Sequence, residues 1–175
     1  HFTPDAALKG KKLFLHFEAI MGKSKIYVNG KLLAEHFGGY LPVVVDVTDA
    51  LEFGKENLIA VWADNSNDPN YPPGKQQEVL DFTYFGGIYR DCWLIAHNQV
   101  FITDPNYENE TAGGGLFVSF DKVSEQSAQL KLDAHIRNTS GKSFGGKILY
   151  ELYDRDDKRV LSKEAGLSVS KGLAK

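Results

Sequence analysis

The dipeptide Asn29-Gly30 restricts the possible folds of this chain more than any other local feature. Strand-like segments flank it on both sides, at positions 25–28 and 31–34. Asparagine and glycine tolerate the positive φ angles of a type I′ turn, so a two-residue Asn-Gly connection predicts a β-hairpin. Residues 13–17 alternate with the period of two that is typical of a sheet, which predicts a further strand.

Strand patterns dominate the rest of the chain as well. Residues 43–45, 58–63, 88–96 and 116–120 form short apolar runs between turn residues. Residues 130–137 alternate apolar and charged side chains, which predicts an antiparallel strand with one solvated face. No long amphipathic helix is visible, so the sequence predicts an all-β protein.

A change of pattern near Gln99 indicates a domain junction, because residues 105–115 form a loose, glycine-rich stretch. We therefore expect two domains, at residues 1–98 and 99–175. A complete immunoglobulin-type sandwich needs about seven strands, and about four strand patterns follow the junction. The second domain is thus expected to be truncated at its C-terminus. The first domain, which begins at His1 on the tail of a strand, is expected to be truncated at its N-terminus.

The net charge of −3 is spread evenly and leaves no basic stripe, so nucleic acid is not an expected partner. No apolar run is long enough to span a bilayer and no signal-peptide pattern occurs at His1, so no membrane partner is expected either. The single cysteine, Cys92, excludes an internal disulfide, and we expect a buried, inert thiol. The compartment is left open between bacterial periplasm and cytoplasm.

Asp81 is the first candidate for a functional residue. It follows a long loop, residues 64–75, of a kind that is more often functional than idle. The neighbouring Phe82 and Tyr84 are large enough to fix the direction of its carboxylate. A carboxylate can accept hydrogen bonds from vicinal sugar hydroxyls, each worth about 1.5–3 kcal/mol. The alternatives are that Asp81 caps a turn or pairs with Arg90, and the residue pattern does not decide between these roles.

The aromatic and imidazole side chains give weaker indications. Tyr71 and Tyr84 lie in or near the loop and are candidates for contact with a ligand. Trp62 and Trp93 sit in strand patterns, so we expect them in a sandwich core rather than on a sugar-stacking platform. His36, beside a glycine pair, is expected to be a hydrogen-bonded turn histidine rather than a base.

No metal or catalytic motif is recognisable. Residues 64–68 place oxygen ligands at alternate positions, but the glycine and glutamate that an EF-hand loop requires are replaced by Pro69 and Lys75. The histidines have no zinc-site spacing, and neither a P-loop nor a G-x-S-x-G elbow is present. We therefore expect neither a metal ligand nor a catalytic residue in this chain.

Four ordered motifs resemble one known family. They lie at residues 27–30, 36–48, 61–65 and 81–90, and together they cover most of residues 1–98. The chain resembles the N-terminal sugar-binding domain of family 2 glycoside hydrolases, which include β-galactosidases, β-glucuronidases and β-mannosidases. Residues 99–175 resemble the start of the immunoglobulin-like domain that follows in that family.

The resemblance implies a jelly-roll (galactose-binding-like) β-sandwich, then a partial immunoglobulin-like β-sandwich, then a TIM barrel beyond this chain. Two glutamates of that barrel perform retaining hydrolysis, which requires carboxyl groups about 5–5.5 Å apart. Asp81 matches the family aspartate that binds a substrate hydroxyl, and Arg90 matches an arginine expected to be structural. The resemblance also allows a sodium or magnesium ion in the complete enzyme, which is expected to be a homo-oligomer.

The leading interpretation is the inactive N-terminal part of a bacterial β-galactosidase, with a β-galactoside and the protein's own barrel as partners. A β-glucuronidase is the alternative parent activity. A free-standing carbohydrate-binding module that uses Tyr71 and Tyr84 is a rival of a different class. A purely structural pair of sandwiches is a third, and it requires Asp81 to be buried against Arg90.

Overall fold

The computed structural model describes residues 1–111, 113–170 and 172–174. Strands account for most of the regular structure in this part of the chain, which confirms the predicted all-β class. The helical elements are the 3₁₀ turns Ala6–Leu8 and Gln77–Val79 and the single helical turn α1, Pro105–Glu108. The chain divides into two compact units, of which unit 1 is His1–Asn98 with Asn106–Asn109, and unit 2 is Gln99–Pro105 with Glu110–Lys175.

Unit 1 is a β-sandwich of antiparallel strands. Its strands are β1 (Lys12–Phe17), β2 (Ile20–Met21), β3 (Lys23–Val28), β4 (Lys31–Phe37), β5 (Val43–Asp46), β6 (Ile59–Asp64), β7 (Gly87–Ile88) and β8 (Cys92–His97). One sheet has the order β5–β1–β8 and the other the order β4–β3–β6, while β2 pairs with β7. Alternate side chains of both sheets enter one core, with Leu13, Phe17, Ile26 and Val28 at most 2% exposed.

The predicted β3–β4 hairpin is confirmed. Asn29 and Gly30 have φ angles of 50° and 81°, and residues of the two strands pair from Val28 and Lys31 onward. The Asn29 side chain also stabilises the turn, since its Nδ2 donates to Asn57 Oδ1 at 2.8 Å and its Oδ1 accepts from the Leu58 amide at 3.0 Å. The hairpin is therefore tied to the chain that leads into β6.

The described part of unit 2 contains three small sheets. Its strands are β9 (Val100–Ile102), β10 (Leu116–Asp121), β11 (Gln129–Ala134), β12 (Ile136–Asn138), β13 (Phe144–Tyr153), β14 (Arg159–Val169) and β15 (Gly172–Ala174). The sheets are β15–β12–β9, β10–β11 and β13–β14. This is more strands than the four predicted, because β9, β12 and β15 have three residues each and leave no alternation to detect.

Cys92 differs from its prediction, because its side chain is exposed rather than buried. It begins β8, which is an edge strand of its sheet. Partial desolvation raises the pKa of the Cys92 thiol, which keeps it protonated and poorly nucleophilic at neutral pH.

Candidate functional site

The segment that carries Asp81, residues 81–89, is held in place by close backbone packing. β7 lies within this segment and pairs with β2, with Met21 opposite Gly87. A Cβ atom on Gly86 would lie 2.7 Å from Asn65 Nδ2, so the Asn65 side chain occupies the space that a side chain at position 86 would need. Gly87 adopts a φ of 74°, which favours glycine. Both glycines of the Gly86-Gly87 pair are therefore required by the geometry.

A second glycine pair supports the same segment from the end of β4. A Cβ on Gly39 would overlap Met21 Sδ, and Gly38 adopts a φ of 130°. The Tyr89 hydroxyl donates a hydrogen bond to the Gly39 carbonyl oxygen. Residues 81–89 are thus fixed at their far end by a contact fifty residues away in sequence.

The loop between β6 and the Asp81 segment is ordered by its own hydrogen bonds. Asp64 Oδ1 accepts from the Ser66 amide at 2.8 Å, and Asp68 Oδ1 accepts from the Asn70 amide at 3.0 Å. Asp68 also forms an ion pair with Lys23 of β3, with Nζ and Oδ2 2.8 Å apart. The hydrogen bond from Lys23 and that from the Asn70 amide lower the pKa of Asp68 to about 2. The loop is therefore anchored on the β4–β3–β6 sheet.

The two tyrosine candidates have different surroundings. Tyr71 is only 9% exposed, and its hydroxyl donates to the Ser66 carbonyl at 3.2 Å. Tyr84 is half-buried, and its hydroxyl donates to Asn67 Oδ1 at 3.1 Å. Both hydroxyls thus hold the loop together, and the role of each tyrosine as a ligand contact stays a prediction.

A small cavity lies beside these tyrosines. Its volume is about 10 Å³, and Asn65, Asn67, Tyr71, Lys75 and Tyr84 contribute to its lining. This is about the space of one water molecule, so the cavity cannot accept a pyranose ring.

Asp81 itself is exposed. Within the described part of the chain its carboxylate takes part in no hydrogen bond or ion pair. Arg90 does not pair with it, because the guanidinium lies over the Tyr89 ring, 5.3 Å from the centroid. The arrangement in which Asp81 is buried against Arg90 is therefore not the one observed, and the carboxylate is available to a ligand.

His36 differs from its prediction. It lies within β4 rather than in a turn, and its Nε2 atom is buried without a hydrogen-bond partner. The residue opposite on β3 is Ser24, whose buried hydroxyl also lacks a partner. Burial lowers the pKa of His36, so the ring is neutral near pH 7. The expected hydrogen bonding of a turn histidine was wrong because the strand extends further than the glycine pair suggested.

The prediction that the tryptophans lie in the core was also wrong. Trp62 is 47% exposed and Trp93 is 53% exposed. In β6 the inward positions are taken by Ile59 and Val61, so the alternation directs Trp62 to the outer face of its sheet. The Trp93 indole Nε1 donates to Glu18 Oε1 at 3.0 Å on the surface.

The residues that the structure describes contain neither a metal-ligand cluster nor a membrane-spanning helix. Among residues 1–111, 113–170 and 172–174, no group of three or more His, Cys, Asp or Glu side chains is placed to hold a metal ion. Asp81 is a single carboxylate, so the sodium or magnesium ion allowed for the complete enzyme stays a prediction. No helix in the described part of the chain has the length and apolar character to cross a membrane.

Comparison with known proteins gives a consistent result. The family model described as "Glycosyl hydrolases family 2, sugar binding domain" matches residues 1–98. A β-galactosidase of Thermoanaerobacter pseudethanolicus is 35% identical over 158 residues, which are 89% of this chain and 19% of that protein. A β-glucuronidase of Formosa agariphila is 31% identical over 177 residues, which are 98% of this chain and 18% of that protein. The chain thus spans about a fifth of the length of these curated relatives.

Solved structures agree with this result. The crystal structure of a β-glucuronidase from Bacteroides uniformis has a TM-score of 0.83 and 30% identity, and the match covers 98% of this chain and 19% of that one. A protein from Bacteroides fragilis described as a putative β-galactosidase has a TM-score of 0.84 and 31% identity, with coverages of 99% and 25%. The predicted fold class is therefore confirmed over nearly the whole chain.

Proposed function

The chain belongs to glycoside hydrolase family 2, and from that membership we propose that it is the non-catalytic N-terminal part of a retaining bacterial β-galactosidase, in which Asp81 helps to form the sugar subsite. The substrate class is a terminal β-galactoside. The 35% identity to a β-galactosidase supports this choice. The two catalytic carboxylates are proposed to belong to a barrel outside residues 1–175.

The observation that carries this proposal is the state of Asp81. Its carboxylate is exposed and has no partner among the described residues, while the segment that bears it is held by Asn65 against Gly86 and by Tyr89 on Gly39. A charged group that is positioned but unpaired can accept hydrogen bonds from two vicinal hydroxyls without first breaking a bond to the protein. Such an acceptor adds binding energy and orientation at a site whose reacting groups lie elsewhere.

The test is a substitution in the full-length enzyme that contains this chain. We expect Asp81→Asn to lower kcat/KM for a β-galactoside tenfold or more, and each factor of ten corresponds to about 1.4 kcal/mol of transition-state stabilisation. The matched control is Asp91→Asn, which removes the charge of another exposed aspartate ten positions further along. The control is expected to stay within twofold of the wild type. An unchanged kcat/KM for Asp81→Asn overturns the proposal.

A β-glucuronidase is the second candidate for the parent activity, because β-glucuronidases with 31% identity also cover nearly all of this chain. The same full-length enzyme assayed with p-nitrophenyl β-galactoside and p-nitrophenyl β-glucuronide decides between them. If the enzyme prefers the glucuronide a hundredfold or more, its substrate is a β-glucuronide and not the proposed β-galactoside. The role of Asp81 is then tested by the same Asp81→Asn substitution with the glucuronide.

A further inference from the structure

We propose that the outer face of the β4–β3–β6 sheet binds a neutral oligosaccharide chain, with the Trp62 indole as its principal stacking surface. The residues of this surface, called the Trp62 face, are Lys23 and Lys25 of β3, Glu35 and Phe37 of β4, and Trp62 of β6. None of them belongs to the Asp81 segment, so the inference goes beyond the proposed function.

The strand register brings these side chains together. Lys25 lies between Glu35 and Trp62 in one row across the sheet, and Lys23 lies between Phe37 and Asp64 in the next row. Residues two apart on a strand share a face, so both rows lie on the same outer surface. Trp62 is 47% exposed and Phe37 is 61% exposed, although both are large apolar side chains.

Charged side chains that form ion pairs lie beside the exposed indole of Trp62. Lys25 Nζ lies 2.9 Å from Glu35 Oε1 and 5.9 Å from the centroid of the Trp62 ring. The hydrogen bond that Lys25 donates to Glu35 raises the pKa of Lys25, so the ammonium group stays charged. In the adjacent row Lys23 is fixed in the same way by Asp68, at 2.8 Å. Hydrogen-bond donors and acceptors are thus ordered beside the indole, which stays 47% exposed although Lys25 lies over its ring.

This combination fits a carbohydrate. One face of a pyranose ring carries C–H groups that stack on an aromatic ring, while hydroxyls around its edge need charged or polar partners, which Lys25 and Glu35 supply. The charges of the surface nearly balance, since Lys23 and Lys25 stand beside Glu35, Asp64 and Asp68. A balanced surface favours a neutral ligand over an anionic one.

Other occupants fit less well. A protein partner would have to desolvate two ion pairs at the centre of its interface, where charged residues are normally depleted. Nucleic acid needs an excess of positive charge that this face does not have. A glycan instead replaces the water at these charges with its own hydroxyls and leaves them at the solvent edge.

The dimensions indicate a chain rather than a single sugar. Phe37 and Trp62 lie two strands and one row apart. A strand spacing of about 4.8 Å and a rise of about 3.4 Å per residue place their Cα positions about 12 Å apart, close to the length of two linked pyranose rings. A disaccharide unit can therefore contact both rings at once.

The test is NMR titration of the 175-residue chain with β-1,4-linked galactotetraose and, separately, with cellotetraose. The chain has two tryptophans, Trp62 and Trp93, so it has two indole N–H signals, and a Trp62→Phe variant assigns them. We expect at least one of the two glycans to shift the Trp62 signal and to leave the Trp93 signal in place. Absence of any shift with both glycans overturns the proposal.

Variants then separate this surface from the Asp81 segment. We expect Trp62→Ala to weaken glycan binding tenfold or more and Glu35→Gln to weaken it severalfold, with circular dichroism to verify folding. Trp93→Ala, which removes an equally exposed tryptophan from the other sheet, is expected to bind as the wild type does. If Asp81→Asn abolishes binding and Trp62→Ala does not, the glycan binds at the Asp81 segment, which overturns this proposal and supports the proposed function.

Discussion

The two units of this chain differ in how completely they bury their apolar side chains. The core cluster of unit 1 contains ten buried residues, most of them on strands of its two larger sheets. In the described part of unit 2, the corresponding cluster contains only Ala134, Ile136 and Val169. Unit 2 instead has a groove of about 350 Å³ lined mostly by apolar side chains of β10, β11, β13 and β14. Burial of apolar surface is the main source of folding free energy, so we infer that stability is concentrated in unit 1.

This difference matches the placement of the candidate site. The Asp81 segment lies in unit 1, where a closed core supports the strands that its glycines pack against. A binding group must be held close to its productive position, and a rigid sheet does this better than a loosely packed one. Unit 1, with its closed core, is therefore suited to hold Asp81 in position, and unit 2 contributes little to that.

The largest expected effect is on the stability of unit 1. Phe17 is 2% exposed within the core cluster, so Phe17→Ala should lower the free energy of unfolding by about 3–5 kcal/mol. Trp62 and Trp93 both lie in unit 1, so tryptophan fluorescence during urea unfolding reports on this unit. The control is Leu161→Ala in the groove of unit 2, which is 52% exposed and should shift the same transition by less than about 1 kcal/mol. If both variants shift the unfolding transition equally, stability is not concentrated in unit 1.

The second largest expected effect comes from adding a side chain at Gly86. A Cβ on Gly86 would meet Asn65 Nδ2 at 2.7 Å, so Gly86→Ala must displace either the Asn65 side chain or the Asp81 segment. We expect a loss of about 1–3 kcal/mol in the free energy of unfolding from this overpacking, together with lower kcat/KM in the full-length enzyme. Gly166 of β14 has open space around it, and Gly166→Ala should be neutral or slightly stabilising. A neutral Gly86→Ala would show that Asn65 does not hold the segment.

The features that the sequence predicts correctly are those set by interactions between neighbouring residues. The Asn29-Gly30 turn depends on the φ preferences of two adjacent residues, so the hairpin could be predicted without its surroundings. Trp62 faces outward because Val61 beside it is an inward residue and adjacent residues of a strand face opposite ways. The prediction of a core position failed because a strand pattern alone does not say which face of the sheet a side chain occupies.

The remaining features depend on contacts between distant residues. Asn65 and Gly86 are 21 residues apart in sequence, and Tyr89 and Gly39 are 50 residues apart. No local sequence pattern therefore predicts either contact. His36 was misplaced because the end of β4 is set by pairing with β3, where Ser24 lies opposite it. The residue pattern made Asp81 a candidate but did not decide between a ligand contact, a turn cap and a pair with Arg90, and its free carboxylate and fixed segment became visible only in the structure.

The smallest expected effect is on the pKa of a carboxyl group in an ion pair. One such pair is taken from each unit. In unit 1 the pKa of Asp68 is lowered to about 2, and the hydrogen bond from Lys23 is the largest cause. In unit 2 the pKa of Glu151 is also lowered, and the hydrogen bond from Arg159 is the largest cause. A carboxyl whose pKa is lowered by folding stabilises the folded state above its ordinary pKa, and this contribution of Asp68 is lost as pH falls from about 4 toward 2. Lys23→Met should therefore raise the pKa of Asp68 toward its ordinary value, as followed by NMR titration of the carboxyl carbon. Arg159→Met is the control and should leave Asp68 unchanged while raising the pKa of Glu151. If Asp68 titrates near pH 4 in the wild type, Lys23 does not anchor the loop, and the positioning assigned to unit 1 loses that support.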